Sequence, residues 1–205
     1  MFISFEGIEG SGKSTQIKLL ESSLKDLGHN VKKLREPGTT LLGEKIREIF
    51  LEETNETIDP TTEAFLLYAS RKHLDQNILR KNLANGSIVI ADRYADATLA
   101  YQCYGKGLSK DFISYIHDKS QLLIPDLTFY MDISAEISKE RISYREMDRM
   151  ESEPLEFFRK VRKGYLEIAS DNPHRVVCLD ANKGIEELRS EIIDLTLKKI
   201  NATVE

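Results

Sequence analysis

Cysteine is nearly absent: the 205 residues hold two, Cys103 and Cys178, far apart in sequence. That excludes a disulfide framework and a zinc site of closely spaced thiolates, and it fits a reducing compartment. There is no surplus of positive charge, since 29 Lys and Arg face 34 Asp and Glu for a net charge of −5. Such a balance argues against nucleic acid or anionic membrane held by bulk charge. Long apolar runs are missing too; FLLYA at 65–69 is far below the ~20 residues a bilayer requires. The chain passes from MFISFE directly into a Gly-rich motif, without the basic and apolar regions of a removable signal. No internal repeat, low-complexity tract or Pro/Gly/Ser-rich linker divides it. The expectation is one cytoplasmic domain over 1–205 that binds neither nucleic acid nor membrane. Any anionic ligand must then meet locally concentrated positive charge.

What is present is an ordinary globular balance, 40% apolar and 31% charged residues. Short, nearly continuous β-rich runs at 1–6, 30–35, 87–92, 127–132 and 175–180 read as strands buried on both faces. Amphipathic stretches alternate with them. Ile17, Leu20, Leu24 and Leu27 share a helical face that stops at Gly28. Asp59-Pro60 caps a long helix predicted to run to Asn85-Gly86. Further helices are expected over roughly 40–51, 109–122, 135–147, 154–170 and 184–200. This alternation predicts an α/β fold, a parallel five-stranded sheet with helices on both faces. Strands end in the acids Glu6, Asp92 and Asp132, and open α/β sheets bind ligands at the carboxyl ends of their strands.

Gly7-Ile8-Glu9-Gly10-Ser11-Gly12-Lys13-Ser14 matches G-x-x-x-x-G-K-[ST] between the first strand and first helix. Its glycines let backbone N–H groups converge on phosphate oxygens at a helix N-terminus. Lys13 adds a charge for the β- and γ-phosphates, and the Ser14 hydroxyl is placed for Mg²⁺. A triphosphate site is therefore expected over Gly7, Ile8, Glu9, Gly10, Ser11, Gly12, Lys13, Ser14 and Thr15. No N-K-x-D guanine-reading sequence accompanies it; Asn182-Lys183-Gly184-Ile185 lacks the acid. Asp92 closes an apolar run and can reach the Mg²⁺ shell. Arg93 follows it, while Arg35 ends the second predicted strand and Arg71 lies in the long helix. Three arginines thus approach the strand ends from separate segments, and Arg is suited to bidentate capture of phosphate.

Together these residues resemble the thymidylate kinase family, within the P-loop nucleoside monophosphate kinases. The likeness is carried by FEGIEGSGKSTQ at 5–16, REPG at 35–38, Arg71 in LLYASR, DRY at 92–94 and AYQ at 100–102. PDLTFYMD at 125–132, DRME at 148–151 and FFRKVRKGYLEIA at 157–169 extend it over nearly the whole chain. The resemblance implies phosphorylation of dTMP to dTDP with MgATP, and a homodimer. It places Arg35, Pro37, Arg71 and Arg93 at the acceptor monophosphate end. Glu9 falls near the sugar 3′-hydroxyl and the metal, beside Ser14 and Asp92, and Thr98, Tyr101 and Gln102 line the thymine and deoxyribose pocket. A kinase for another nucleoside monophosphate or a deoxynucleoside stays open on the residues alone. So does a nucleotide-dependent ATPase switch, against which the acceptor-side arginines argue.

Two positions depart from the family pattern. Where an aromatic commonly stacks on the base, four residues before Arg71, stands Leu67; either Leu67 covers the base or Tyr68 substitutes. Thr39 stands where a second Gly often follows REPG. The loop itself contains no Arg, so the chain resembles the subclass whose arginine comes from a short lid, here about 141–153. Arg141, Arg145 and Arg149 would share one face if that segment were helical, and Arg149 is the first choice for the transferring phosphoryl, Arg145 the second. Arg159, Lys160, Arg162 and Lys163 read as a solvated helix face. His29, His73, His117 and His174 fit surface or packing positions.

Overall fold

The computed structural model describes residues 1–52, 56–144 and 146–204. Five strands, β1 (Phe2–Glu6), β2 (Val31–Arg35), β3 (Ile88–Asp92), β4 (Leu127–Asp132) and β5 (Val176–Asp180), form one parallel sheet in the order β2-β3-β1-β4-β5. Four of them start one residue later than the sequence pattern suggests. Every residue of central β1 is buried, as in a sheet covered on both faces. Phe5 sits opposite Asp92 on one side and Phe129 on the other, so the ends of β1 and β3 open side by side where the strand order reverses.

Helix α1 (Lys13–Asp26) follows β1 and packs on β1, β2, β3 and α9 (Ile185–Val204). Helix α2 (Leu41–Leu51) starts at Thr40, whose side chain accepts the Gly43 N–H. Helix α3 (Pro60–Leu74) starts at Asp59, which accepts the N–H groups of Thr61 and Thr62 with Pro60 at the first helical position. Helices α6 (Lys110–Ser120), α7 (Ala135–Ile142) and α8 (Leu155–Asp171) complete the expected set. Among the described residues no helix is long and apolar enough to cross a membrane.

Three elements differ from the sequence pattern. The long helix widens into a π-helical turn at Asp75–Leu79 before α4 (Arg80–Ala84), where Arg80 Nε donates to the buried Asp75 carboxylate across 2.7 Å. A short helix, α5 (Ala95–Thr98), and a π-helical segment, Leu99–Gly105, occupy a region to which no periodicity pointed. The helix expected over 135–147 stops at Ile142. Beyond it Asp148 builds a turn, its Oδ1 accepting the N–H groups of Met150 and Glu151 at 2.9 Å each. Arg141 and Arg149 therefore do not share a helical face, and Arg145 lies outside the described residues.

Candidate active site

The phosphate loop leaves β1 at Gly7, where an added Cβ would stand 2.7 Å from the Met131 carbonyl oxygen. It enters α1 at Gly12 in a left-handed conformation (φ 86°), the cap position where glycine carries no steric penalty. Ser138 Oγ donates to the Glu9 carbonyl (2.7 Å) and ties the loop to α7. Lys13 is buried, with Nζ donating to the carbonyls of Gly7 (2.8 Å) and Ile8 (3.0 Å). Burial, then the nearby Arg93 charge, draws its pKa down to about 8 against the pull of Asp92, Glu9 and Glu6. Ser14 Oγ stands 3.5 Å from Asp92 Oδ2.

Across the strand ends, Arg93 adopts a left-handed backbone (φ 67°) that is uncommon for a side chain of its size. Its own N–H donates to Phe5 O (3.0 Å), and the next N–H, of Tyr94, donates to Glu6 Oε1 (2.7 Å). The guanidinium donates to Glu9 Oε1 (2.5 Å), lies over the Tyr101 ring and reaches the Tyr165 hydroxyl (3.4 Å). Tyr101 donates to the other Glu9 oxygen (2.9 Å). Burial alone would raise the Glu9 pKa; the charges of Arg93 and Lys13 outweigh it and hold the carboxyl below its ordinary value. Glu6, which accepts the Tyr165 hydroxyl (2.8 Å), is pushed up to about 7 by burial and by the charge of Asp96.

Arg71 is 1% exposed. Its Nε donates to Glu36 (2.6 Å), and its Nη2 donates to Tyr94 O (3.2 Å) and Thr98 Oγ1 (3.1 Å). Nη1 is buried with no hydrogen-bond partner among the described residues. Burial lifts Glu36 to about 7 even against the Arg71 charge. Arg35, more exposed, pairs with Glu44 (2.8 Å). These groups surround a crevice of about 370 Å³, in the range of small-molecule sites.

The family model described as thymidylate kinase matches residues 5–192. A thymidylate kinase of Sulfurihydrogenibium sp. (strain YO3AOP1) is 46% identical over 94% of this chain and 95% of its own. One from Chlorobaculum tepidum is 43% identical over 94% and 95%. The chain belongs to the thymidylate kinase family. The crystal structure of thymidylate kinase from Ehrlichia chaffeensis superposes with a TM-score of 0.78 at 33% identity, over 96% of this chain and 98% of that one.

The family crevice gathers most of the residues picked out from the sequence. Glu9 through Thr15, Arg35, Pro37, Leu67, Arg71, Asp92, Arg93, Thr98, Tyr101 and Gln102 all line it. Gly7 and Ile8 form the loop's stem. Tyr68 points elsewhere, packing with Ala64, Cys103, Ile113 and Leu122 while its hydroxyl reaches Ile113 O (3.5 Å). Leu67 instead clusters with Ile46 and Phe50 on the crevice wall. Arg149 is held by Phe50 O (3.0 Å) and Glu63 (3.1 Å). Arg141 donates to Gly10 O and Ala181 O, at the back of the phosphate loop. Thr39 takes the left-handed conformation (φ 68°) that a glycine there adopts freely, pinned by its N–H to Glu44 (2.7 Å) and its hydroxyl to Arg35. Arg162, in the basic run of α8, is clamped to Asp132 by two bonds of 2.8 and 2.9 Å.

Sequence reasoning missed Arg47, Phe50 and Met150, which also line the crevice. Arg47 and Phe50 occupy an amphipathic helix where a charged residue reads as solvated and an aromatic one as core. Burial, then Arg35 and Arg93, lowers the Arg47 pKa. The one available signal was its position on α2 directly after REPG.

Proposed function

We propose that this chain transfers the γ-phosphoryl group of MgATP to the phosphate oxygen of dTMP, giving ADP and dTDP. The observation that carries this is a single crevice with the phosphate loop on one wall and Arg35, Arg71 and Arg93 on the other. A phosphate monoester has its second pKa near 6, so the acceptor is largely a dianion at pH 7 and needs no general base. The obstacle is electrostatic, since two anions must meet in line. Lys13 holds the β- and γ-phosphates, Arg93 turns its fork from Glu9 to the acceptor, and Arg71 contributes Nη1, its nitrogen without a partner among the described residues. Released from Arg93, Glu9 stays beside Tyr101 to accept the sugar 3′-hydroxyl. Leu67, Thr98, Tyr101 and Gln102 enclose the nucleoside.

The donor chemistry suits Mg²⁺: a hydroxyl (Ser14) and a carboxylate (Asp92) stand together at the loop's end, with Glu9 as third candidate. Among the described residues no cluster of three or more His, Cys, Asp or Glu would hold a metal unaided, as expected of an ion kept mainly by phosphates and water. When bound, it neutralises and orients the β- and γ-phosphate oxygens.

We assign the segment 141–153 as the lid within a single domain over 1–205. Arg149 is its transferring-group arginine, reaching inward by leaving one ion pair with Glu63. Arg145 is the alternative. Chain pairing is proposed through α2, α3 and α6, which pack side by side and expose Leu42, Ile49, Phe65 and Tyr115; light scattering should give twice the chain mass. Its place of action is the cytoplasm, where Cys103 and Cys178 stay free thiols. A coupled assay of ADP release across nucleoside monophosphates tests the reaction. dTMP should be the fastest acceptor; faster turnover of dCMP, dUMP or thymidine would overturn it.

A further inference from the structure

Glu63, on the first turn of α3, is fully buried, and the mechanism above uses it only as the resting partner of Arg149. Its two oxygens have different partners. Oε1 accepts from Lys106 Nζ (2.8 Å) and Arg149 Nη2 (3.1 Å), whereas Oε2 accepts from the side-chain amide of Gln102 (3.0 Å). Lys106 also stands 3.5 Å from Glu153, so two cations and a second carboxylate surround the group. An ionised carboxylate only accepts hydrogen bonds. Gln102 must therefore turn its NH₂ toward Glu63, which leaves its carbonyl Oε1 at the other end. That oxygen is buried, has no hydrogen-bond partner among the described residues, and belongs to a side chain lining the crevice.

We infer that Glu63 is a positioning residue for base selection: it fixes the Gln102 amide so that the crevice presents an acceptor and not a donor. An unpartnered buried acceptor favours a base edge bearing N–H and penalises one bearing a lone pair. Thymine and uracil carry N3–H, while cytosine carries a bare N3. The inference rests on the nucleoside-monophosphate reading and adds a reason for its pyrimidine preference. The asymmetry of Glu63 also predicts what a neutral replacement does. In Glu63→Gln the carbonyl oxygen stays with Lys106 and Arg149, so the new NH₂ takes the place of Oε2. It would then face the Gln102 NH₂, and the Gln102 amide inverts to present a donor to the crevice.

The test measures kcat/KM for dTMP and dCMP in the wild-type chain, Glu63→Gln and Glu63→Asp, with thermal melts to establish folding. In Glu63→Gln the dTMP:dCMP ratio should fall about 10- to 100-fold, the worth of one mispaired buried polar group. Glu63→Asp, still acceptor-only, should keep the wild-type ratio whatever its absolute rate. A Glu63→Gln chain that loses both substrates equally would overturn the inference and leave Glu63 a structural residue. Wild-type failure on dTMP would instead overturn the functional reading. If Glu63→Gln does not fold, NMR of the wild-type Gln102 amide protons decides. Cross-peaks from them to the Glu63 side chain that vanish on dTMP addition would overturn the inference, and cross-peaks that persist support it.

Discussion

At the scale of single residues, the site is built from charges that already have partners. Arg149 holds Glu63, and moving to the phosphoryl group would make its contribution specific to the transition state. Arg149→Ala should therefore lower kcat on the order of 100-fold while changing the KM for dTMP little; steady-state kinetics in which KM alone moves would remove Arg149 from the reacting centre. Leu67 and Tyr68 separate just as cleanly. Leu67 lines the crevice beside Phe50, so Leu67→Phe should tighten dTMP binding by up to about 1 kcal/mol through aromatic contact, measured by calorimetry. Tyr68→Phe should leave that binding unchanged. Lys13, Ser14 and the loop glycines were legible because their spacing within one turn dictates their geometry. Glu63 and Arg47 were not, because a charged residue in an amphipathic helix looks solvated until its neighbours are known.

At the scale of elements, close backbone approach sets where the acceptor wall stands. Helix α2 meets the turn after β2 at Gly43, where an added Cβ would lie 2.4 Å from the Gly38 carbonyl oxygen. Gly43→Ala should push α2 away from Arg35 and Pro37, raise the KM for dTMP, and destabilise the fold by about 1–3 kcal/mol in urea melts. The π-helical Leu99–Gly105 segment is seated in the same way: a Cβ on Gly105 would strike the Phe157 ring at 2.5 Å, and one on Gly164 the Tyr104 ring at 2.6 Å. These contacts seat the segment on α8, where Tyr101 meets the Phe157 and Tyr165 rings. Strands and most helices were readable from periodicity and caps such as Asp59-Pro60. The π segments were not, because their wider turn obeys neither the 3.6-residue nor the two-residue repeat. The lid helix was overextended for a related reason: 143–147 continue a helix-compatible composition, and only the turn made by Asp148 reveals the break.

At the scale of the whole molecule, buried acids give stability a pH dependence of definite sign. Glu6 rises from an ordinary 4.5 to about 7 in the folded chain, chiefly through burial. The native state therefore holds a proton that the unfolded chain releases. This contribution is complete below pH 4.5 and is lost as pH climbs through 7. Glu6→Gln should flatten the fall in unfolding free energy between those values by on the order of 3 kcal/mol, checked by denaturant melts of both chains at pH 5 and pH 8. The net charge of −5 said nothing of the crevice, because charge counting records no direction.

Four arginines at or beside the crevice each carry a carboxylate of the same chain, Arg35 with Glu44, Arg71 with Glu36, Arg93 with Glu9 and Arg149 with Glu63, while Arg47 on its wall reaches the Pro37 carbonyl. The site behaves as an ion exchanger preloaded with its own side chains. On the proposed reading a monophosphate displaces tethered carboxylates instead of small ions condensed from solution, so few ions are released when it enters. Raising salt from 50 to 500 mM should then weaken dTMP binding by less than about tenfold in a calorimetric titration.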